Sequence, residues 1–306
     1  MDNIRDGVYP TMITPFTQDN KIDFSAVERL LEWYAERNVG GIFAVCQSSE
    51  MFFLSIDERV SLVRFIRRNL PRGLSLIASG HVADTMAEQV SDAEKIVAEG
   101  IDAYVFLSNR FARADESDSV MLERIFETVE RLPQTAFGIY ECPYPYKRVM
   151  QPQALKELAV TGKFKFLKDT CCDAALIGQK LEAVKGTGLK IFNANAATLM
   201  ETLQYGCSGY SGVMANFHPE VYAWLCANFE KDRAKARSVQ DFAGFFSVAE
   251  CQMYPVNAKY YLGLEGLPIT TRCRCCDESA FTKNRKLEID QMHALNAFLK
   301  ETLDLS

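Results

Sequence analysis

Three places along the chain carry side chains whose type and setting can do chemistry: Lys168 at the end of FKFLK, Tyr140 at the end of AFGIY, and the turn Cys46-Gln47-Ser48-Ser49-Glu50. Each of the first two closes an apolar run. A lysine enclosed by apolar side chains loses part of its charge, because desolvation disfavours the ammonium, and the neutral amine can attack a carbonyl to form a Schiff base. The other reading of Lys168 is an ordinary solvated lysine at a strand end. A phenol at Tyr140 can relay protons between a carbinolamine and an imine, or simply cap the core. Small hydroxyl residues and free backbone N–H groups in the Gln47, Ser48, Ser49 turn can hold a carboxylate, although such turns also serve as helix caps. The cluster Cys273, Cys275, Cys276 has no second CxxC and no paired histidines at ligand spacing, and His81, His218 and His293 are scattered, so no metal site is expected.

These residues need elements to position them. Short apolar runs alternate with longer stretches whose apolar residues recur at three and four residue spacing, the pattern of parallel strands joined by helical crossovers. Eight strands are predicted: 7–14, 41–45, 75–79, 103–107, 135–140, 164–168, 190–193 and 209–213. Helices are predicted over 24–37, 55–69, 84–99, 117–131, 153–160, 174–185, 196–205 and 219–229. Ser55 with Glu58 reads as a capping box, Asp84 as a cap without one, and the glycines in Asn38-Val39-Gly40-Gly41 and at Gly100 as left-handed helix stops. Eight units in about 230 residues match an α/β fold of the (β/α)8 TIM-barrel type better than two open sheets. Residues 1–230 form the expected catalytic barrel. Residues 231–306, with helical pattern at 232–248 and 283–303, form an expected C-terminal helical extension packed on it, whose apolar faces can also serve an oligomer contact. In such a barrel the reacting groups stand at the C-terminal ends of the strands, where both Lys168 and Tyr140 fall.

The bulk properties narrow the function further. The chain has 306 residues, 48% hydrophobic and 24% charged, with a net charge of −6 and no basic stripe, so nucleic acid is not an expected partner. No apolar run is long enough for a membrane span, and Met1 to Pro10 lacks the apolar core of a secretory signal, so a cytoplasmic protein without a membrane partner is expected. Ten cysteines in that setting are read as free thiols.

At these residues the sequence resembles the dihydrodipicolinate synthase / N-acetylneuraminate lyase family of class I aldolases over nearly its whole length. GVYPTMITPF is similar to the family's opening strand, CQSSE stands where the family has Gly-Thr-Thr-Gly-Glu, and YECP matches its Tyr-Asn-x-Pro motif at Tyr140. FLKDT resembles the strand that ends in the Schiff-base lysine, and GCSGYSGVMAN the glycine-rich eighth strand. The resemblance implies Lys168 as the Schiff-base lysine, Tyr140 as the proton-moving phenol, a small 2-oxo acid such as pyruvate as substrate, no metal or organic cofactor, and a homotetramer. By the same carry-over Gln47 and Ser48 face the substrate carboxylate, and Ala194, Asn195 and Ser211 line the pocket.

The departures are informative. Pro145 stands where the synthase has an aldehyde-binding arginine, which argues against true dihydrodipicolinate synthase activity; Lys147 and Arg148 are the nearest substitutes. Leu107-Ser108-Asn109-Arg110-Phe111 lacks the tyrosine that a neighbouring subunit lends to the family's proton relay, and Arg110 is either a carboxylate ligand or a surface ion pair. Asn193-Ala194-Asn195-Ala196 lacks the acidic groups that hold a sugar in the lyase branch, so a smaller or less polar partner substrate is expected. The leading expectation is a carbon–carbon lyase or aldolase. A sugar-acid dehydratase passing through the same imine and a non-catalytic keto-acid-binding barrel are the alternatives.

Overall fold

The computed structural model of the chain describes residues 4–132 and 135–305. The first three positions of Met1–Pro10, residues 133–134, and the last residue of 231–306 lie outside the described residues. Eight strands form one sheet: β1 (Gly7–Val8), β2 (Gly41–Ala44), β3 (Ser75–Ala78), β4 (Ala103–Leu107), β5 (Phe137–Tyr140), β6 (Phe164–Asp169), β7 (Lys190–Asn193) and β8 (Gly209–Tyr210). Every pairing is parallel, in the order β1-β8-β7-β6-β5-β4-β3-β2. Backbone bonds from Gly40 N–H to Val8 O (2.9 Å), Phe43 N–H to Pro10 O (3.1 Å) and Met12 N–H to Phe43 O (3.0 Å) join the two ends of that order. The result is a (β/α)8 TIM barrel with C-terminal helices.

The crossover helices are α1 (Phe24–Ala35), α2 (Ile56–Asn69), α3 (Met86–Val97), α4 (Asp118–Glu130), α5 (Pro152–Ala159), α6 (Ala174–Ala183), α7 (Leu199–Gln204) and α8 (Pro219–Asn228). The Ser55–Glu58 capping box opens α2 as expected. The start of α3 corrects the expectation at Asp84: the cap is Thr85, which makes a full box with Glu88 one position later. Gly100 is left-handed at φ +83°, but after α1 that role falls to Asn38 at φ 54°, whose short amide side chain tolerates the conformation, and not to Gly40 or Gly41.

Two predicted strands are shorter than expected. The first, 7–14, pairs regularly only at Gly7–Val8 and continues as a single bridge at Thr11, because Pro10 has no N–H for a ladder. The last, 209–213, stops at Tyr210 and turns at Val213–Asn216. After α8 come α9 (Arg233–Phe246), α10 (Val256–Leu264) and α11 (Lys283–Thr302). Of these, α10 carries no amphipathic stripe, since six of its nine residues are buried.

Alternate residues of each strand fill the barrel interior. Tyr9, Phe166 and Phe192 form an aromatic layer there, with ring centroids 4.6 to 5.4 Å apart, and Phe43 packs against Phe166 at 6.0 Å. Gly138 on β5 leaves room for this layer, because a Cβ at that position would meet the Cβ of Phe166 at 3.1 Å.

Candidate active site

Lys168 lies two residues beyond Phe166 on β6, so the period of the strand sends its side chain into the barrel above the aromatic layer. It is 3% exposed. Its Nζ lies 4.3 Å from the centroid of the Tyr140 ring and 5.9 Å from that of Phe43. Tyr140 is its register partner at the end of β5. Desolvation holds the Lys168 amine below the ordinary lysine value, against the opposing fields of Cys46, Cys142 and Glu250. Desolvation also pushes the Tyr140 phenol well above its ordinary value.

The next residue on each strand points the other way. Glu141 and Asp169 turn toward the helices and share the Lys180 ammonium of α6, at 2.6 and 2.5 Å, with all three side chains buried. Glu141 also accepts from Thr170 N–H (2.8 Å) and Met150 N–H (2.9 Å). This buried triad fixes the rims of β5 and β6 against each other, and with them the Lys168–Tyr140 spacing.

The turn after β2 is held in a strained form. Val45 (φ 49°) and Glu50 (φ 59°) bracket it in the left-handed region, which non-glycine residues occupy only when their surroundings compel it. Glu50 supplies the constraint. It is buried; one oxygen accepts from Lys259 Nζ of α10 (2.8 Å), the other from the N–H groups of Arg274 (2.6 Å) and Cys275 (2.9 Å). Within the turn, Ser49 Oγ donates to Met12 O (2.5 Å) and accepts from Cys46 N–H (3.1 Å). Ser48 Oγ donates to Thr11 Oγ1 at 3.0 Å, and Gln47 Oε1 accepts from the Tyr140 hydroxyl and the Cys142 thiol, both at 3.3 Å.

Lys168, Tyr140, Gln47 and Ser48 thus share one cavity of about 440 Å³. The other expected site residues are placed elsewhere. Ser49 works within its turn, and Ser211 Oγ donates to Tyr9 O at 3.0 Å inside the barrel. Ala194 N–H is tied to Asp169 O at 2.9 Å, and Asn195 caps the turn at Ala197 N–H (2.8 Å). Arg110 donates to the carbonyls of Val82 and Ala83 and to Asp84, away from the cavity wall. Arg148 is spent on Arg113 O, Glu116 O and Asp118, and Lys147 on Thr170 O.

Sequence reasoning missed several wall residues. Tyr254, just before α10, lines the cavity and accepts from Asn216 Nδ2 at 3.0 Å, with the Ser48 and Thr11 hydroxyls as neighbouring hydrogen-bonding groups. Burial pushes its phenol well above the ordinary value. Phe52, Phe53, Pro143, Tyr144, Cys275 and Cys276 form the outer part. Cys275 Sγ lies 3.8 Å from Cys276 Sγ, and no set of three metal-ligating side chains occurs among the described residues. Only the CxCC spelling hinted that the 273–276 segment was special, and it gave no direction.

A (β/α)8 barrel with a desolvated amine and a phenol facing each other at its C-terminal rim is an architecture suited to carbonyl chemistry. The chain belongs to the dihydrodipicolinate synthetase family, whose model matches residues 5–289. Membership places it among lyases of the aldolase type. It is 22% identical over 267 residues to a 4-hydroxy-tetrahydrodipicolinate synthase from Shewanella sp. (strain ANA-3), covering 85% of this chain and 88% of that one. A namesake from Pseudoalteromonas atlantica is 26% identical over 263 residues, with the same shares covered. Among solved structures the fold is shared with YagE of E. coli K12 in complex with pyruvate (TM-score 0.84, 20% identity, 98% and 99% covered). It is shared equally with a catalytic lysine mutant of Ruminococcus gnavus sialic acid aldolase (TM-score 0.87, 16% identity, 99% of each chain). A monomeric dihydrodipicolinate synthase variant matches with a TM-score of 0.87 at 18% identity, over 97% and 98%. No helix among the described residues is long and apolar enough to cross a membrane.

Proposed function

We propose that Lys168 condenses with a small 2-oxo acid such as pyruvate, and that the resulting imine serves as the electron sink for making or breaking a carbon–carbon bond. The observation that carries this reading is the desolvated Lys168 amine 4.3 Å from the centroid of the Tyr140 ring, in a cavity open to a small ligand. Loss of water from carbinolamine to imine needs a proton delivered to the departing hydroxyl. The Tyr140 phenol, hydrogen-bonded to Gln47, is the nearest donor. The keto-acid carboxylate lies against Gln47 and Ser48, and Tyr254 steadies Ser48 through the Thr11 and Asn216 network. Pyruvate in YagE and the catalytic lysine of the sialic acid aldolase are in keeping with the assignment.

Pro145, in place of the arginine, argues against a true dihydrodipicolinate synthase, since among the described residues Lys168 is the one cation in the cavity wall and Arg148 is held by Arg113 O, Glu116 O and Asp118. A homotetramer belongs to the same reading. Phe245, Val248, Leu295 and Phe298 stand 50 to 72% exposed on the C-terminal helices and supply an apolar face for it. Light scattering tests that assembly. Borohydride reduction in the presence of pyruvate, followed by peptide mass mapping, tests the chemistry: a fixed adduct on Lys168 is expected, and an unmodified protein under saturating pyruvate overturns the reading.

A further inference from the structure

Among the described residues, the cations carried by the segments near the cavity already hold partners, and apart from Lys168 none of them forms part of its wall. Arg110 is fixed by two carbonyls and Asp84, Arg148 by two carbonyls and Asp118, Lys147 by Thr170 O, Lys259 by Glu50 and Arg272 O, and Arg274 by Glu58. The wall itself carries one cation, Lys168, which the imine consumes, and one carboxylate, Glu50, both of whose oxygens are already bonded. Beyond Lys168 and Tyr140, Gln47, Ser48 and the Tyr254 phenol supply its other polar groups, and the rest of the wall is Phe52, Phe53, Pro143, Tyr144, Val213, Pro255 and the two thiols Cys275 and Cys276. Phe52 and Tyr144 meet edge to face, with centroids 4.9 Å apart.

We infer that the second substrate is a neutral, apolar aldehyde, of which an aromatic aldehyde is the best fit; this rests on the Schiff-base reading above. A second carboxylate in this outer space would be desolvated without a partner, and the hydroxyls of a sugar acid would lose water without gaining good acceptors or donors. A planar ring loses nothing there and packs against Phe52 and Tyr144. In the synthetic direction the enamine carbon of Lys168-bound pyruvate attacks the aldehyde carbon. The carbonyl π bond breaks, the new alkoxide takes a proton, and water hydrolyses the imine. Pyruvate and RCHO then yield one 4-hydroxy-2-oxo acid, the water released on imine formation being returned.

The experiment uses the full chain with pyruvate and three acceptors: benzaldehyde, glyceraldehyde and succinic semialdehyde. Borohydride trapping of pyruvate on Lys168 is run in parallel, so that failure of the Schiff base is seen separately. With trapping positive, kcat/KM for benzaldehyde is expected to exceed that for each of the other two by at least about tenfold, the scale on which one desolvated contact discriminates. Preference for succinic semialdehyde or glyceraldehyde, or no reaction with benzaldehyde while pyruvate is trapped, overturns the inference. Absence of trapping overturns the Schiff-base reading and this one with it. Tyr144→Arg places a free cation on the exposed rim and is expected to shift the benzaldehyde to succinic semialdehyde ratio at least about tenfold toward the acid. An unchanged ratio with trapping intact counts against the assigned wall.

Discussion

The Lys180 ammonium lies 2.6 Å from the Glu141 carboxylate, in a buried ion pair set directly behind Tyr140 and Lys168. Burial and the neighbouring Asp169 push the Glu141 carboxyl up, with Lys180 opposing. Burial works against the charge on Lys180, yet Glu141 and Asp169 together hold it above the ordinary lysine value. Removing one partner of such a cluster leaves uncompensated charge in the interior. Lys180→Met is expected to lower stability by about 3–5 kcal/mol, read by chemical denaturation. The sign with pH follows from linkage. A carboxyl raised in the folded state contributes stability that declines as pH rises from its unfolded value through its folded one. Without Lys180 the Glu141 value rises further, so the deficit is expected to be larger at pH 8 than at pH 5.

The pH dependence of pyruvate trapping tests the desolvation of Lys168 independently. Below the folded-state value the amine is an ammonium and does not attack; above it the amine is neutral. Because burial lowers that value from 10.5, the trapping rate is expected to climb through a midpoint below 10.5. Stopped reactions with cyanoborohydride across pH measure it, Lys168→Ala giving no adduct at any pH. A midpoint at or above 10.5 contradicts a desolvated amine.

Removing the Tyr140 hydroxyl separates proton delivery from binding. Tyr140→Phe keeps the ring beside Lys168 and is expected to slow imine formation by about 10²–10⁴-fold, the range for a positioned general acid. The affinity for pyruvate should change little. Single-turnover trapping against pyruvate concentration distinguishes the two effects.

The legible parts of this molecule were those with a local cause. Lys168 and Tyr140 end apolar runs, and strand periodicity alone puts them at one rim. The Lys180–Glu141–Asp169 cluster was not legible, because its members are ordinary charged letters until α6 packs on the β5 and β6 ends. Tyr254 and Cys275 were missed for a related reason: they reach the cavity from beyond the eighth strand, along a path that no repeat dictates. The helix α10 gave no stripe because it is buried on nearly every side. At Arg110 the sequence left a carboxylate ligand and a surface ion pair open, and the structure pairs it with Asp84 and the carbonyls of Val82 and Ala83.

Arg110→Ala is accordingly expected to leave pyruvate trapping within about twofold of the wild type, with a stability loss of about 1 kcal/mol or less for an ion pair whose carboxylate stands in solvent. A rise of tenfold or more in the pyruvate concentration needed for half-maximal trapping would restore Arg110 as a carboxylate ligand.

Lys259→Met strands the buried Glu50 and loosens the strained turn that presents Gln47 and Ser48. Weaker pyruvate saturation, by about tenfold, is expected together with a stability loss of about 3 kcal/mol. Glu50→Gln with Lys259→Met relieves the unpaired charge, and is expected to recover part of the stability but less of the saturation.

The grip of Lys259, Arg274 and Cys275 on Glu50 also sets a schedule for biosynthesis. A ribosome that has released residues through Asn228 has delivered all eight strands and Lys168, yet the turn carrying Gln47 and Ser48 still lacks its anchor and the cavity wall still lacks Tyr254, Pro255, Cys275 and Cys276. Since chains emerge from the N-terminus as they are made, the eight strands precede the segment that fixes Glu50, and the turn after β2 is complete only after the stretch around Cys275 has docked.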